Sequence, residues 1–411
     1  MDGGKDMLKF VIAGAGIRGL RMFGESIAKP EYRDAATLCG VYDVNIVRSR
    51  LFSVKCGDVP VYMDFDEMLV KVTPDYVIVA TVDCFHDEYI IKALKAGCDV
   101  ISEKPLTMTA EKCNAILAAE KESGKKVIVT FNMRYMPYAL RVKELIDEGI
   151  VGDILSVDMN WHLDTSHGAD YFRRWHRYMD KSAGLLIHKA THHFDAINWW
   201  IKSYPKTVSA QGRLCFYGDT RKERSDRCLT CAHQQRCNFY WDITKDDFMK
   251  ECYLDAELED GYIRDACVFS QDIDIYDSMT VQVTYESGTL LSYSLNAYSP
   301  YEGFSCIING TRGRLELRNI YSGSDAALPM DEIIFYNRRQ ERITYTMPKV
   351  SGEHGGSDAR LIEKLILGGL PQYDKCAATS IDGAYSMMIG VAANMSIAEK
   401  RFVDIKDILS E

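Results

Sequence analysis

Six residues constrain this chain more than any others. Gly14-Ala15-Gly16-Ile17-Arg18-Gly19 is a G-x-G-x-x-G that follows the apolar run LKFVIAG (8–14) and opens a helix-compatible stretch, Ile17 to Lys29, stopped by Pro30. Gly14 allows the tight turn, Gly16 lets a pyrophosphate approach the backbone, and Gly19 lets helix pack on strand. The helix N-terminus then holds the phosphate charge. Such a turn belongs in a strand–helix alternation, and residues 36–132 provide it. Strands are expected at 36–43, 75–81, 98–105 and 125–132, with helices from Asn45, over 88–96 with Gly97 as C-cap, and over 109–123. DYVIVAT (75–81) is nearly continuous in apolar residues, as a strand covered on both faces requires. The alternation predicts a parallel, doubly wound Rossmann sheet.

Asp43 ends the second strand, where a carboxylate accepts ribose hydroxyls and repels a 2′-phosphate, so NAD is expected ahead of NADP. Arg48, five residues on, is close enough to help a phosphate, and the gap from Gly14 to Asp43 is 29 residues against about 20 in the usual fingerprint.

After about residue 150 the texture changes. Segments 154–164, 206–218, 279–298 and 313–320 alternate apolar and polar residues, with ESG and NGTRG as turns. Helical segments are expected at 184–201, 358–369 and 380–399. The fold class is α/β: an N-terminal Rossmann doubly wound parallel sheet plus a C-terminal α+β domain with an open, mostly antiparallel sheet. The domains are 1–133 and 134–411, the second carrying a Cys-rich insertion at about 219–268.

A formal charge of −10 argues against nucleic acid and anionic membrane surfaces. No apolar run approaches the roughly 18–20 residues of a membrane span, and the start has no signal-peptide core. Most of the 13 cysteines are scattered singly (Cys39, Cys98, Cys113, Cys306), as buried free thiols of a reducing compartment are. The expected location is cytoplasmic.

At Glu103-Lys104-Pro105 the chain resembles the Gfo/Idh/MocA family of glucose–fructose oxidoreductase, inositol dehydrogenase and relatives. The likeness runs through VIVATVDCFHDEYIIKALKAGCDVISEKPLTMT, TFNMRYMPYALRVKELIDEGIVGDI, GLLIHKATHHFDAINWW and SIDGAYSMMIGVAANMSIAEKRFVDI. It implies a Rossmann domain followed by an open-sheet domain, with the nicotinamide between them. It also implies a tightly held cofactor, a sugar or polyol substrate, and a homodimer or homotetramer packed through the open sheet. Carried over, Lys104 is the active-site lysine, and His192 and Asp195 match H-x-x-D. His188 stands where the inositol dehydrogenases have aspartate, which puts their Asp–His relay in doubt here. The HKATHHFD form looks more like relatives found near glycoside-metabolising enzymes, some of which oxidise a sugar 3-hydroxyl while others use bound NAD transiently to cleave a glycosidic bond.

On these grounds Lys104, His192, His188 and Asp195 are the catalytic candidates. If 184–201 is one helix, His188, His192, Asp195 and Trp199 share a face within roughly 60°. A lysine at a strand end stabilises an alkoxide or shuttles its proton, and histidine titrates in the working range. Histidines at i and i+4 can also share a divalent ion, or be a structural pair. Cofactor-binding candidates are Gly14, Gly16, Ile17, Arg18, Gly19, Asp43, Arg48, Thr81, His86, Glu103 and Lys104. For substrate they are Arg134, Trp161, Trp175, Arg177, His188, His192 and His354. Cys228, Cys231, Cys237 and Cys267 have spacings that suit a structural zinc, with Cys252 or His233 as substitutes. Unbound thiols in a polar loop are the other reading.

The expected function is NAD-dependent oxidation of a secondary hydroxyl of a sugar or glycoside. Alternatives are a glycosidase using NAD within one turnover, and a non-catalytic dinucleotide sensor, against which Lys104 and His192 argue.

Overall fold

The structure is a computed structural model that describes residues 7–350 and 353–410. The chain forms two compact units. The first takes in the described residues up to Asn132, with Trp241–Asp265 and Ser357–Ala384. The second comprises Met133–Tyr240, Ala266–Gly356 and Tyr385–Glu411. The stretch 219–268, expected as one insertion, is therefore divided between them.

The first unit is built on six strands: β1 (Leu8–Ala13), β2 (Ala36–Tyr42), β3 (Val61–Tyr62), β4 (Tyr76–Val79), β5 (Asp99–Ser102) and β6 (Val127–Val129). They lie in the order β3-β2-β1-β4-β5-β6, with every described pairing parallel. This is the Rossmann order, and its direction reverses between β1 and β4, where ligands bind beyond the strand ends. Phe10–Ala13 and Val77–Val79 are buried, as strands with helices on both faces must be. Capping side chains start the helices. Asn45 accepts from Val47 and Arg48 ahead of Ile46–Lys55, and Thr109 accepts from Lys112 ahead of Ala110–Ser123.

The second unit carries nine strands: β7 (Ile154–Asp164), β8 (Pro205–Arg213), β9 (Ser278–Tyr285), β10 (Leu290–Ser299), β11 (Gly303–Gly310), β12 (Gly313–Ile320), β13 (Met330–Asn337), β14 (Arg342–Pro348) and β15 (Val403–Asp404). Their order is β14-β13-β12-β11-β7-β10-β9-β8-β15, antiparallel except for β7 beside β10. Burial alternates along β9 and β10, so one face is apolar. On that face Trp161 stacks on His193 with centroids 3.8 Å apart, and on Phe304 at 5.0 Å.

The helix expected over 184–201 is interrupted. Leu185–His188 and Thr191–Ile201 are separate helices. Between them the ladder widens where the Ala190 N–H reaches Leu185 O. It then tightens where His192 and His193 bond back only three residues, to Lys189 and Ala190. Counting 100° per residue across such a junction misplaces side chains, so His188 does not share a regular helical face with His192. Within Thr191–Ile201, Asp195 is fully buried and takes both its oxygens to Arg134, from Nε at 2.8 Å and Nη2 at 2.7 Å. Trp200 is buried alongside and donates to Ala139 O at 3.0 Å.

Removing one partner of a buried ion pair leaves an uncompensated charge, which costs about 3–5 kcal/mol. Asp195→Ala is expected to lose about that much in urea unfolding, and Asp195→Asn clearly less. A wild-type unfolding curve for Asp195→Ala would show that the pair does not hold the helix.

Candidate active site

In the first unit, β1 turns into the loop at Gly14, whose φ is +103°. A Cβ there would lie 2.4 Å from Ala80 O, and one at Gly19 would lie 1.9 Å from Gly14 O. Both positions therefore exclude every residue but glycine. Gly16 is different. A Cβ there would meet only the Tyr253 hydroxyl, at 3.5 Å, so its glycine leaves the space that a phosphate approach requires. The chain then enters a widened helical turn, Arg18–Gly24, rather than the regular helix expected. The loop geometry and the neighbouring helix start fit a dinucleotide.

Asp43 sits beside the loop. Its Oδ2 accepts the Ala15 N–H at 2.7 Å, while its Oδ1 accepts the Asn45 N–H at 2.8 Å and Arg48 Nη2 at 3.3 Å. Arg48 also pairs with Asp260. Burial alone would lower the Arg48 pKa, but the two carboxylates raise it. Asp260 was not found from the sequence, since nothing local links it to a residue 212 positions away.

Arg18 reaches from the loop to two carboxylates. Nε donates to Glu103 Oε1 at 2.8 Å and Nη1 to Asp358 Oδ2 at 2.9 Å, and Asp358 also accepts from Asn132 at 2.6 Å. Burial disfavours the guanidinium charge, yet Glu103 and Asp358 outweigh it and push the Arg18 pKa up. The second oxygen of Glu103 accepts the Lys104 N–H at 3.2 Å. The Lys104–Pro105 peptide is cis. His86 is a brace: Nδ1 lies 2.8 Å from Pro105 O and Nε2 3.2 Å from Thr81 O. Burial drives its pKa down, the carbonyl contacts notwithstanding. His86 and Thr81 are thus joined through backbone at the ends of β4 and β5.

The second unit holds the histidines. His188 packs on His176 with ring centroids 4.0 Å apart, on Tyr171 at 5.6 Å and on Trp175 at 5.7 Å. Trp175 stacks on His176 at 3.6 Å. His188 is buried, and His192 and Trp175 are half-buried. Lys189 lies between the two helices, 5.3 Å from the Trp161 ring centroid. Burial lowers its pKa against the pull of Glu302. The sequence reading passed over it, although it stands inside HKATHHFD. Arg134, expected at the substrate, is buried against Asp195. Arg177 is buried too, with Nη2 on Asp272 at 2.6 Å and on Cys267 O at 3.0 Å. Trp161 lies in the apolar stack under the sheet. His354 falls in the turn Glu353–Gly356, and its side chain lies outside the described residues.

Cys228, Cys231, Cys237 and Cys267 line one small cavity, so the spacing did bring them together. Cys252 belongs to the first unit. The zinc expected at the four is not supported. Among the described residues no three His, Cys, Asp or Glu side chains are grouped to hold a metal ion. Arginines meet the sulfurs instead: Arg173 donates to Cys228 Sγ at 3.1 Å and Arg221 to Cys237 Sγ at 2.8 Å. No helix among the described residues is long and apolar enough to cross a membrane.

Residues 8–131 match the description "Oxidoreductase family, NAD-binding Rossmann fold", and residues 143–405 match "Oxidoreductase family, C-terminal alpha/beta domain". The chain is 38% identical to a Bacillus subtilis protein named as an oxidoreductase, YteT, covering 98% of this chain and 99% of that protein. It is 28% identical to inositol 2-dehydrogenase of Klebsiella pneumoniae over 50% of this chain and 57% of that one. Among solved structures, an oxidoreductase domain protein from Kribbella flavida superposes with a TM-score of 0.72 at 17% identity, covering 98% and 100% of the two chains. Scyllo-inositol dehydrogenase from Lactobacillus casei, solved with NAD(H) and scyllo-inositol, gives 0.66 at 17% identity, covering 97% and 99%. These two structural likenesses concern the fold.

The contact at Gly19 makes a sharp test. Gly19→Ala forces its new methyl into Gly14 O, which overpacking precedent puts at about 3 kcal/mol. The variant is expected to unfold several degrees lower and to bind NAD at least about tenfold more weakly by calorimetry. Unchanged binding would show that the loop is not the cofactor's seat.

Proposed function

The chain belongs to the Gfo/Idh/MocA oxidoreductase family, and on that premise we propose that it is an NAD-dependent oxidoreductase acting on a secondary hydroxyl, at C3, of a sugar or glycoside. The observation that carries this reading is the group formed by His188, His176, Trp175 and Tyr171. It combines titratable imidazoles with aromatic faces, which suits a hydroxylated ring. The position of oxidation is supported by a 31% identity to D-glucoside 3-dehydrogenase of Escherichia coli over 30% of this chain.

Bound NAD would supply the hydride acceptor. His192, half-buried at the start of its helix, accepts or relays the proton of the substrate hydroxyl. Lys104 stabilises the alkoxide or shuttles its proton. His188, fixed by its aromatic neighbours, orients the substrate, with the Lys189 ammonium beside it. Asp195, paired with Arg134, steadies the helix that carries His192. A redox-neutral use of NAD is the second reading. It is supported by 28% identity to an Escherichia coli relative named as a hydratase, 2,7-anhydro-N-acetylneuraminate hydratase, over 48% of this chain. A cytoplasmic homodimer or homotetramer packed through the open sheet completes the proposal.

NAD is assigned over NADP on charge. Two carboxylates, Asp43 and Asp260, surround one guanidinium, Arg48, and leave a net negative charge where a 2′-phosphate would sit.

The deciding experiment incubates the protein with a panel of glycosides and NAD, following NADH by absorbance and keto-sugars by mass spectrometry. The reading expects a 3-keto product with stoichiometric NADH; aglycone release without NADH selects the second reading. On a confirmed substrate, His192→Ala is expected to lower turnover roughly 10²–10⁴-fold with NAD binding kept. Near-wild-type turnover removes His192 from the mechanism. NADP should bind at least about tenfold more weakly than NAD, and Asp260→Asn should narrow that gap. Equal affinities in the wild type would refute the charge argument.

A further inference from the structure

The segment Trp241–Asp265 packs within the first unit on the residues that a dinucleotide needs. Its Tyr253 hydroxyl accepts the Ile17 N–H at 3.1 Å. Arg21 lies 4.1 Å from the Phe248 ring centroid, Asn45 Nδ2 donates to Ala256 O at 2.9 Å, and Arg48 pairs with Asp260. Ile243, Cys252 and Tyr253 form a buried cluster with Ile17 and Leu51 packed against it. The segment is therefore attached to the glycine loop, to the end of β2 and to the helix after it. In the Rossmann fold these are the elements that hold the pyrophosphate and the adenine ribose.

Tyr253 is the member that faces the loop. The N–H groups where the glycine loop enters the helical turn Arg18–Gly24 are the phosphate's usual donors, and the Tyr253 oxygen stands at one of them. An oxygen that accepts from Ile17 still carries a proton of its own, which the neighbouring Cys252 sulfur attracts in the ligand-free chain and which the more basic phosphate oxygen would take. That proton prolongs the donation outward, and hydrogen bonds in such a chain polarise one another. Burial pushes the Tyr253 pKa up, so the hydroxyl stays protonated and cannot repel a phosphate as a phenolate would. Arg264 is buried with its guanidinium carbon 5.8 Å from the Tyr253 ring centroid and 4.9 Å from that of Trp241, which adds a cation to the same wall.

We propose that Tyr253 is a direct ligand of the dinucleotide's pyrophosphate, its hydroxyl held by the Ile17 N–H and donating to a phosphate oxygen, with Trp241–Asp265 as the wall that carries it. The proposal rests on the dinucleotide binding at the glycine loop, and its test separates the two claims. Calorimetry on protein stripped of cofactor compares wild type with Tyr253→Phe for NAD, ADP-ribose and AMP. The expected result is a loss of about tenfold for NAD and ADP-ribose, which contain the pyrophosphate. AMP, which lacks it, should change by less than about threefold. The thermal midpoint without ligand should stay within about 2 °C of wild type, a shift that a purely structural hydroxyl would exceed. Equal affinities in Tyr253→Phe overturn the proposal. So does tighter NAD binding, which would mean that the hydroxyl plugs the site, and so does an equal loss for all three ligands. Failure of the wild type to bind any of them overturns the dinucleotide reading as well.

Discussion

The Arg18 guanidinium is the interaction on which the first unit depends. It lies within the glycine loop and binds Glu103 at the end of β5 and Asp358 at the start of the helix Ser357–Leu367. Three stretches separated by up to 340 residues are thereby fixed to one planar fork. Desolvating such a cluster is expensive, and it is tolerated only because nearly every oxygen and N–H has a partner. The consequence reaches the chemistry. Glu103 also takes the Lys104 N–H, so the position of the candidate lysine is set by the same charge that closes the loop.

The Rossmann half was legible because its signals are local. Continuous apolar runs gave β1 and β4, and the glycine spacing gave a turn whose contacts at Gly14 and Gly19 allow nothing larger. In the second unit the alternating runs gave β7 and β12 to the residue, whereas β13 and β14 near the sheet edge are largely half-exposed or exposed and lack a clean apolar–polar alternation. What periodicity cannot supply is the group across the interface. It put His192 and Asp195 near one face, but the partner of Asp195 is Arg134, 61 residues upstream. It also assumed an unbroken helix, and the shift of hydrogen bonds at Lys189 and Ala190 breaks the count just before His192.

The cysteines show the same limit from another side. Spacing found the four that converge, since a C-x-x-C and two further thiols in one loop region have little room to be apart. It could not show that Arg173 and Arg221 meet them. Two arginines, Arg173 from outside the stretch and Arg221 from within it, make two of the candidate ligands, Cys228 and Cys237, acceptors of hydrogen bonds.

Charge also revises how Asp43 acts. The sequence suggests a carboxylate reaching for ribose hydroxyls. In the folded chain its oxygens already accept Ala15 and Asn45 N–H groups and Arg48, so much of its hydrogen-bonding capacity is engaged before any ligand arrives. Its proposed influence on a nucleotide is then twofold. It shapes the loop by holding Ala15, and it sets the local potential together with Asp260. Arg48, which alone would welcome a 2′-phosphate, is neutralised by two carboxylates, one of them from the segment that also carries Tyr253. In the proposed reading, selectivity for the ribose and contact with the pyrophosphate therefore share a physical source. One stretch of chain, remote in sequence from the glycine loop, completes the loop's electrostatics.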